Sequence, residues 1–329
     1  MLLSCLLAFI FPFQLFLFSF AVLGPLHYFT EIPWLHGKKY YTTGKYDYLM
    51  LAVLCCIIAA IHYLTINPVK QDENLIQLLS SLVFVAFFGA LAMTTLKLQW
   101  QKIAVLVLIG ASSVLFWNLD FFGMIFANFI PTIIHVYIFT GCFILYGALR
   151  HKSITGILSL VVFALCTYLI FSIAPDPQAD RSLSQYVKLS YNYFAGLNFE
   201  LMNILGLQTV TPSTKGLGDI LFSSNNGIII MRLVAFSYTY HFLNWFSKTS
   251  IIKWHLIPKK SLFIVFLLWI ASLALYAYNY YIGLQVLYFM SLLHVVLEFP
   301  LDHRTFIGIG QELKAMATRR KIQTAIERS

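Results

Sequence analysis

Charged residues are scarce in this chain of 329 residues, where Asp, Glu, Lys and Arg together make up only 11%. A soluble domain usually carries about 25% charged residues, so a water-soluble globular protein is disfavoured. Hydrophobic residues make up 60%, and many apolar runs approach the roughly 20 residues that a helix needs to cross a bilayer. Because these runs are continuous rather than alternating, the sequence predicts an all-α polytopic membrane protein and not a membrane β-barrel.

Familiar cysteine and zinc motifs are absent. No Cys-x-x-Cys pair occurs, and all five cysteines lie inside apolar runs, so neither disulfides nor a thiolate metal site are expected. No His-Glu-x-x-His motif occurs either, which leaves a zinc-protease interpretation without support. No lysine or arginine precedes Lys38, so the first apolar run lacks the basic start of a signal peptide and is predicted to be a retained span.

The apolar runs predict about nine transmembrane helices. They cover residues 2–24, 48–66, 75–96, 103–126, 128–149, 154–174, 228–247, 261–281 and 284–300. Residues 190–208 are too polar for a clean span and predict a re-entrant or interfacial helix. We expect residues 1–303 to form one transmembrane bundle and residues 304–329 to form a basic cytoplasmic tail.

The net charge of +9 does not indicate a nucleic-acid partner, because the basic residues lie in short loops and in the tail. They follow the first, third, fifth, seventh and ninth predicted spans. By the positive-inside rule, this alternation predicts an outside N-terminus and a cytoplasmic C-terminus, in what we expect to be a bacterial inner membrane. Membrane lipids are the expected surroundings, and the tail is expected to lie close to anionic lipid.

One polar pattern occurs twice, near each end of the chain. His27 and Glu31 have the same spacing as His294 and Glu298, and both pairs are followed by a proline and another histidine: Pro33, His36, Pro300 and His303. A histidine and a glutamate four residues later share one face of a helix. An ionised glutamate is costly against lipid, so both faces are predicted to meet in one buried polar site at the cytoplasmic boundary. Each proline is expected to turn the chain.

Two further histidines are candidates for chemistry. His241 lies near the cytoplasmic end of the seventh predicted span, and His135 lies deepest inside the fifth. Neutral imidazole together with carboxylate is the ligand set of non-haem iron and of catalytic zinc. Glu31 and Glu298 are then the candidate catalytic groups, either as ligands or as groups that orient the ligands.

The other histidines are expected to have no role in such a site. We expect solvated side chains at His36, His151, His255 and His303, and an interfacial anchor at His62. The predicted span boundaries also place His135 in the outer half of the membrane, away from His27 and His294. One metal ion cannot bind all of these histidines unless a predicted boundary is displaced.

The order of the histidine segments resembles that of the Brp/Blh family of membrane dioxygenases that cleave β-carotene. Gly24-Pro25-Leu26-His27 is similar to the early Gly-Leu-Pro-His motif of the family, and Ile133-Ile134-His135 is similar to a mid-chain segment. Tyr240-His241 and Leu293-His294 resemble two later segments, although Asn244 stands where the family has a second histidine. The resemblance implies a helical bundle whose iron is bound by His27, His135, His241 and His294.

Two classes of function follow from these patterns. The first is a membrane-embedded, histidine-ligated non-haem iron oxygenase that acts on an apolar, carotenoid- or lipid-like small molecule, with Fe(II) as the expected cofactor and zinc as the alternative. The second is a transporter or channel that uses intramembrane histidine and glutamate as an ion or proton site. A structural subunit of a membrane complex is a further alternative.

Overall fold

The computed structural model describes residues 1–65, 73–176, 183–211, 216–254 and 257–328, and its regular secondary structure in these residues is all helical. Most neighbouring helices are joined by short turns. The helices of two turns or more are Leu2–Ile10, Pro12–Gly37, Asp47–Thr65, Glu73–Thr95, Gln99–Ser113, Phe121–His151, Ile154–Ser172, Gln185–Tyr191, Ala195–Ile204, Leu217–Ser223, Asn225–Ser247, Lys259–Tyr278 and Tyr280–Arg328.

Seven of these helices are long and apolar enough to cross a membrane, and an eighth qualifies if the bent pair Leu217–Ser223 and Asn225–Ser247 counts as one span. A shorter apolar helix, Asp47–Tyr63, corresponds to the second predicted span. The prediction of an all-α polytopic membrane bundle is therefore confirmed. Residues 190–208 form no span in the structure but contribute the short helix Ala195–Ile204, as their polarity predicted.

The first long helix begins later than the predicted first span over residues 2–24. The backbone breaks at Phe11, whose φ is −133°, and Pro12 then opens the helix Pro12–Gly37. Proline is tolerated in a first turn because its missing N–H has no helical acceptor there. His27 consequently lies inside this helix and not beyond its end, as the predicted span over residues 2–24 had placed it.

The expectation that Pro33 and Pro300 turn the chain is wrong. Both prolines lie inside continuous helices, Gly24–Gly37 and Tyr280–Arg328. An internal proline removes one backbone hydrogen bond and crowds the preceding turn. Burial of neighbouring side chains offsets part of that cost, since Leu35 and Phe299, close to the two prolines, are completely buried.

Two segments near the candidate histidines are wound as π-helix. They are Ser19–Leu23, just before His27, and Met124–Phe139, which contains His135 and Pro131. A π-helix widens the backbone and is often found at functional sites. Side chains of other helices stabilise the first segment: the indole N–H of Trp269 donates to the carbonyl of Val22 at 2.8 Å, and the Ser19 hydroxyl lies 2.7 Å from that of Thr239.

The buried apolar side chains form two clusters, and two of the helices that carry candidate histidines clearly contribute to both. The helix Pro12–Gly37 contributes Phe16 to the first cluster and Leu35 to the second. The helix Phe121–His151 contributes Ile133 to the first cluster and Ile130 to the second. The polar residues of the repeated pattern are therefore held at the junction between two packed cores.

A buried ion pair joins two other helices. Lys102 Nζ lies 2.6 Å from Asp47 Oδ2, and both side chains are only 3% exposed. The backbone N–H of Gly44 donates to the same carboxylate at 2.8 Å. Lys102, which the topology prediction treated as a loop charge, thus fixes the start of the helix Gln99–Ser113 against the start of the helix Asp47–Thr65.

Candidate metal centre

Four histidines from four different helices meet in the interior of the bundle. We name these helices by their histidines: the His27 helix (Pro12–Gly37), the His135 helix (Phe121–His151), the His241 helix (Asn225–Ser247) and the His294 helix (Tyr280–Arg328). All four imidazoles are buried, with between 1% and 6% of their surface exposed. The fold thus brings together all four histidines that were predicted from the sequence to be metal ligands.

Three of the imidazoles form a group with the geometry of a metal site. His27, His241 and His294 each offer a ring nitrogen, and the three nitrogens lie within 4.8 Å of one another. The Nε2 atoms of His27 and His241 approach to 3.2 Å. Such a group is positioned to hold a metal ion, because three converging imidazole nitrogens match the protein ligands of histidine-bound metals.

His135 adjoins this group, although the predicted span boundaries had placed it in the outer half of the membrane, away from His27 and His294. Its ring centroid lies 4.7 Å from that of His241 and 5.3 Å from that of His294. The predicted conflict disappears because the His27 and His294 helices extend past their predicted ends, so that both histidines lie well inside the bundle. The expectation that His27 and His294 approach each other is met, with ring centroids 5.3 Å apart.

The two glutamates of the repeated pattern face the same site. Glu31 is completely buried, and its Oε2 lies 3.0 Å from Nε2 of His27. Glu298 is 4% exposed, and its Oε2 lies 3.6 Å from Nδ1 of His135. Nδ1 of His27 and both ring nitrogens of His135 have no hydrogen-bond partner, whereas the two carboxyl groups interact with each other through a side-chain hydrogen bond. A proton shared between the two carboxyls, or a cation bound among the four side chains, satisfies such buried groups.

Thr140 orients one candidate ligand, although no pattern in the sequence indicates this role. Its hydroxyl lies 2.8 Å from Nδ1 of His241, one of the buried hydrogen bonds between two helices. When Nδ1–H donates to the Thr140 oxygen, the lone pair on Nε2 is free to bind a metal and points towards His27. Such an outer partner fixes both the tautomer and the ring orientation of a ligating histidine.

Asp302 is a second residue that sequence reasoning passed over. It lies four residues after Glu298, on the same face of the His294 helix, and is 1% exposed. Neither carboxylate oxygen has a hydrogen-bond partner. The signal was available in the sequence, because His294, Glu298 and Asp302 follow one another at intervals of four residues.

The other histidines among the described residues lie outside the centre. His36 is exposed and its ring lies beside the hydroxyl of Tyr40, and His151 is exposed as expected. His303 is not solvated as expected but buried, with Nε2 2.7 Å from the carbonyl of Phe87. His62 stacks on Tyr288 with ring centroids 3.9 Å apart, and His255 lies outside the described residues.

An apolar groove runs along the outside of the His27 helix next to the centre. It has a volume of about 450 Å³ and lies between this helix and the helix Lys259–Tyr278, with Leu26, Thr30, Phe266 and Trp269 among its lining residues. Trp245 contacts both a residue that lines the groove and one of the histidines. The indole N–H of Trp245 donates to the Thr30 hydroxyl at 3.0 Å, and its ring packs edge-on against that of His27.

Comparison with known proteins identifies no relative of this chain. No protein-family model, no curated protein and no solved structure matches it. The buried histidine group and the helical bundle are therefore the basis for any statement about its function.

Proposed function

We propose that this protein is a membrane-embedded non-haem iron oxygenase that acts on an apolar small molecule. The observation that carries the proposal is the convergence of the His27, His241 and His294 nitrogens within 4.8 Å, inside a candidate membrane bundle. Buried imidazoles without hydrogen-bond partners are costly unless something binds them. Both ring nitrogens of His135 have none.

The donor set favours iron, with zinc as the nearest rival. Imidazole with carboxylate, as supplied here by the histidines and by Glu31 and Glu298, suits non-haem iron that keeps open coordination positions. Structural zinc sites are usually closed by four ligands and rich in cysteine. No cysteine belongs to the group of candidate ligands found among the described residues. Bound Fe(II) would supply the activation of O₂, which amino-acid side chains do not perform unaided.

The residues of the chain have separate roles in this proposal. His27, His241 and His294 hold the ion, and His135 completes the set that the resemblance to the Brp/Blh family implies. Glu31 and Glu298, each beside a histidine, act as ligands or hold the imidazoles in place, as Thr140 does for His241. The surrounding apolar side chains exclude water from the centre.

The groove beside the His27 helix is the argument for an apolar substrate. Its volume of about 450 Å³ falls within the range of small-molecule sites. Its lining residues are almost all aliphatic or aromatic, and Leu26 and Thr30 flank the turn of helix that carries His27. A molecule dissolved in the bilayer can reach this groove laterally, and a movement of Trp245 would then open the way to the centre.

The test begins with protein purified in detergent without chelator and loaded with Fe(II) under anaerobic conditions. We expect tight Fe(II) binding, and O₂ consumption when a conjugated polyene or a long acyl compound is added. The same protein loaded with Zn(II) should consume no O₂. If Fe(II) neither binds nor stabilises the protein, the oxygenase proposal fails and ion flux in proteoliposomes becomes the measurement that decides for a transporter.

Replacing Thr140 with valine is expected to weaken metal binding by about 10- to 100-fold, the usual effect of removing an outer partner of a ligating histidine. Valine has nearly the shape of threonine but cannot bond to Nδ1 of His241, so the ring loses its fixed tautomer. Competition against a chelator of known affinity measures the change. Thr140→Ser is the matched control and should bind like the wild type, whereas equal affinity in the valine variant would show that Thr140 does not orient the ligand.

A further inference from the structure

Two apolar grooves follow one another along the seam between the His27 helix and the helix Lys259–Tyr278. Leu26 and Phe266 line the larger groove, of about 450 Å³, and Leu17 and Leu273 line the smaller one, of about 340 Å³. Higher residue numbers on one helix thus meet lower numbers on the other, so the two helices run antiparallel. The larger groove is the one nearer to the start of the helix Lys259–Tyr278.

Lysines surround that end of the larger groove. Phe246, Trp254 and Leu262 line the groove there. Four lysines lie within three residues of one of these lining residues, and they are Lys248, Lys253, Lys259 and Lys260. The mouth of an apolar groove is therefore bordered by a cluster of positive charge.

The segments that flank this end of the seam carry no acidic residue to offset the lysines. No Asp or Glu occurs in residues 37–46 or 242–297, and Glu31 is buried beside His27. None of the ion pairs between described residues includes a lysine of this cluster. Lys248 is half-buried, and this burial lowers the pKa of its ammonium group. A bound anion would stabilise the charged form of that lysine.

Aromatic side chains stand between the lysines and the rest of the groove. The rings of Phe246 and Trp254 have centroids 6.3 Å apart, and Trp254 directly follows Lys253. Tryptophan is typical of the boundary between lipid head groups and acyl chains. The candidate span Lys259–Tyr278 also begins here, which places the lysines at the level of the head groups and the groove at the level of the chains.

The groove has the length of one leaflet. Trp269 lies about 15 Å along its helix from Lys259, which is half of the roughly 30 Å of a bilayer's hydrocarbon core. Trp269 also ends the groove, because its indole N–H donates to the carbonyl of Val22 at 2.8 Å and separates the larger groove from the smaller one. A single acyl chain that enters from the lysine end therefore fits this groove.

We propose that the larger groove binds one anionic phospholipid of the surrounding leaflet, with its phosphate on the lysines and one acyl chain along the seam. Several lysines suit a phosphate better than a single carboxylate, because a phosphate offers more acceptor oxygens. Binding needs no metal. Only the further step, in which the bound acyl chain is the substrate of the centre behind Leu26 and Thr30, rests on the proposed function.

The experiment compares three lipids on metal-free, full-length protein in detergent. The protein is titrated with phosphatidylglycerol, with phosphatidylcholine of the same acyl chains and with oleate, and native mass spectrometry measures the lipid bound per chain. We expect one phosphatidylglycerol per chain, bound more tightly than the other two lipids. The double variant Lys259→Gln, Lys260→Gln should bind it about 25-fold more weakly, at about fivefold for each lysine. Lys97→Gln with Lys152→Gln, the same change of charge away from the groove, should leave the affinity unchanged.

A bulky side chain in the groove tests the position of the acyl chain. Val265 lines the groove, and Val265→Trp should fill it and prevent binding of phosphatidylglycerol although all lysines are present. Ile264→Trp is the matched control, because Ile264 is 48% exposed on the same helix but does not line the groove. Binding that Val265→Trp leaves unchanged would place the lipid on the lysines alone and overturn the groove as its site.

The lipid comparison and the iron measurement fail independently. Equal affinity for phosphatidylglycerol and phosphatidylcholine, or tighter binding of oleate, overturns the anionic phospholipid as the ligand, and iron bound by the same protein would leave the proposed centre intact. Protein that prefers phosphatidylglycerol but binds no Fe(II) keeps the lipid site and loses the oxygenase. The comparison in the wild type decides the identity of the ligand even if a variant fails to fold.

Discussion

Replacing His241 with alanine is expected to abolish binding of the metal ion that we propose for His27, His241 and His294. His241 supplies the nitrogen nearest to His27, with the two Nε2 atoms 3.2 Å apart, and it belongs to the only fully converging group of candidate ligands in the described part of the chain. Loss of a direct ligand should cost more than the roughly 10- to 100-fold that loss of an outer partner costs. Iron analysis after gel filtration, and the loss of stabilisation by Fe(II) in a thermal melt, measure the effect.

A matched control shows whether the loss is specific. His62 is also on an apolar helix, but it stacks on Tyr288 and lies outside the centre. His62→Ala should keep its iron, and His294→Ala should lose it as His241→Ala does. If all three variants bind iron like the wild type, the histidine group is not the metal site, and the buried polar residues must be explained by ion or proton transfer.

The second large effect is on stability and does not depend on any metal. Replacing Lys102 with methionine is expected to lower the free energy of unfolding by about 3–5 kcal/mol, the usual cost of removing one partner from a buried ion pair. Lys102 Nζ lies 2.6 Å from Asp47 Oδ2, and the variant leaves that carboxylate buried with only Gly44 N–H and the Gln99 amide near it. Unfolding by denaturant in a detergent micelle measures the change.

The double variant Lys102→Met, Asp47→Leu provides the control for this prediction. Replacing both charges with apolar groups of similar size removes the unpaired carboxylate, so most of the lost stability should return. Its iron content should equal that of the wild type, because the pair is remote from the histidines. A change of less than about 1 kcal/mol in the single variant would show that water reaches Asp47 and that the pair behaves like one at the surface.

The polar residues of the site were largely predictable, because a spacing of four residues places His27 beside Glu31 and His294 beside Glu298 whatever the tertiary fold. The cost of burying those glutamates against lipid then predicts that the two faces turn inwards, and both carboxylates are indeed buried. The resemblance to the Brp/Blh family selected the same four histidines that meet in the bundle. Their roles as ligands, and those of the two glutamates, stay predictions.

The position of the histidines along their helices could not be predicted from hydropathy, because a helix can begin or end without any change in apolar character. The break at Phe11 and the continuation through Pro33 shift the first long helix along the sequence, and with it His27. Thr140 could not be recognised at all. Its hydrogen bond to His241 joins residues 101 apart in sequence and depends on how two helices pack. The assignment of residues 304–329 as a separate cytoplasmic tail stays a prediction, although the His294 helix continues as far as Arg328.

The spread of the candidate ligands along the chain also has a consequence for biosynthesis. His27 and His241 touch across 214 residues of sequence, and His294 follows on a later helix. The helix that carries His27 is therefore synthesised and inserted long before the helices that carry His241 and His294 have been translated. The early helices must be inserted and held by their own packing, and the metal can be captured only after the His294 helix has joined them. If the centre holds iron as proposed, a shortage of iron should leave a pool of inserted protein that gains activity when iron is added back.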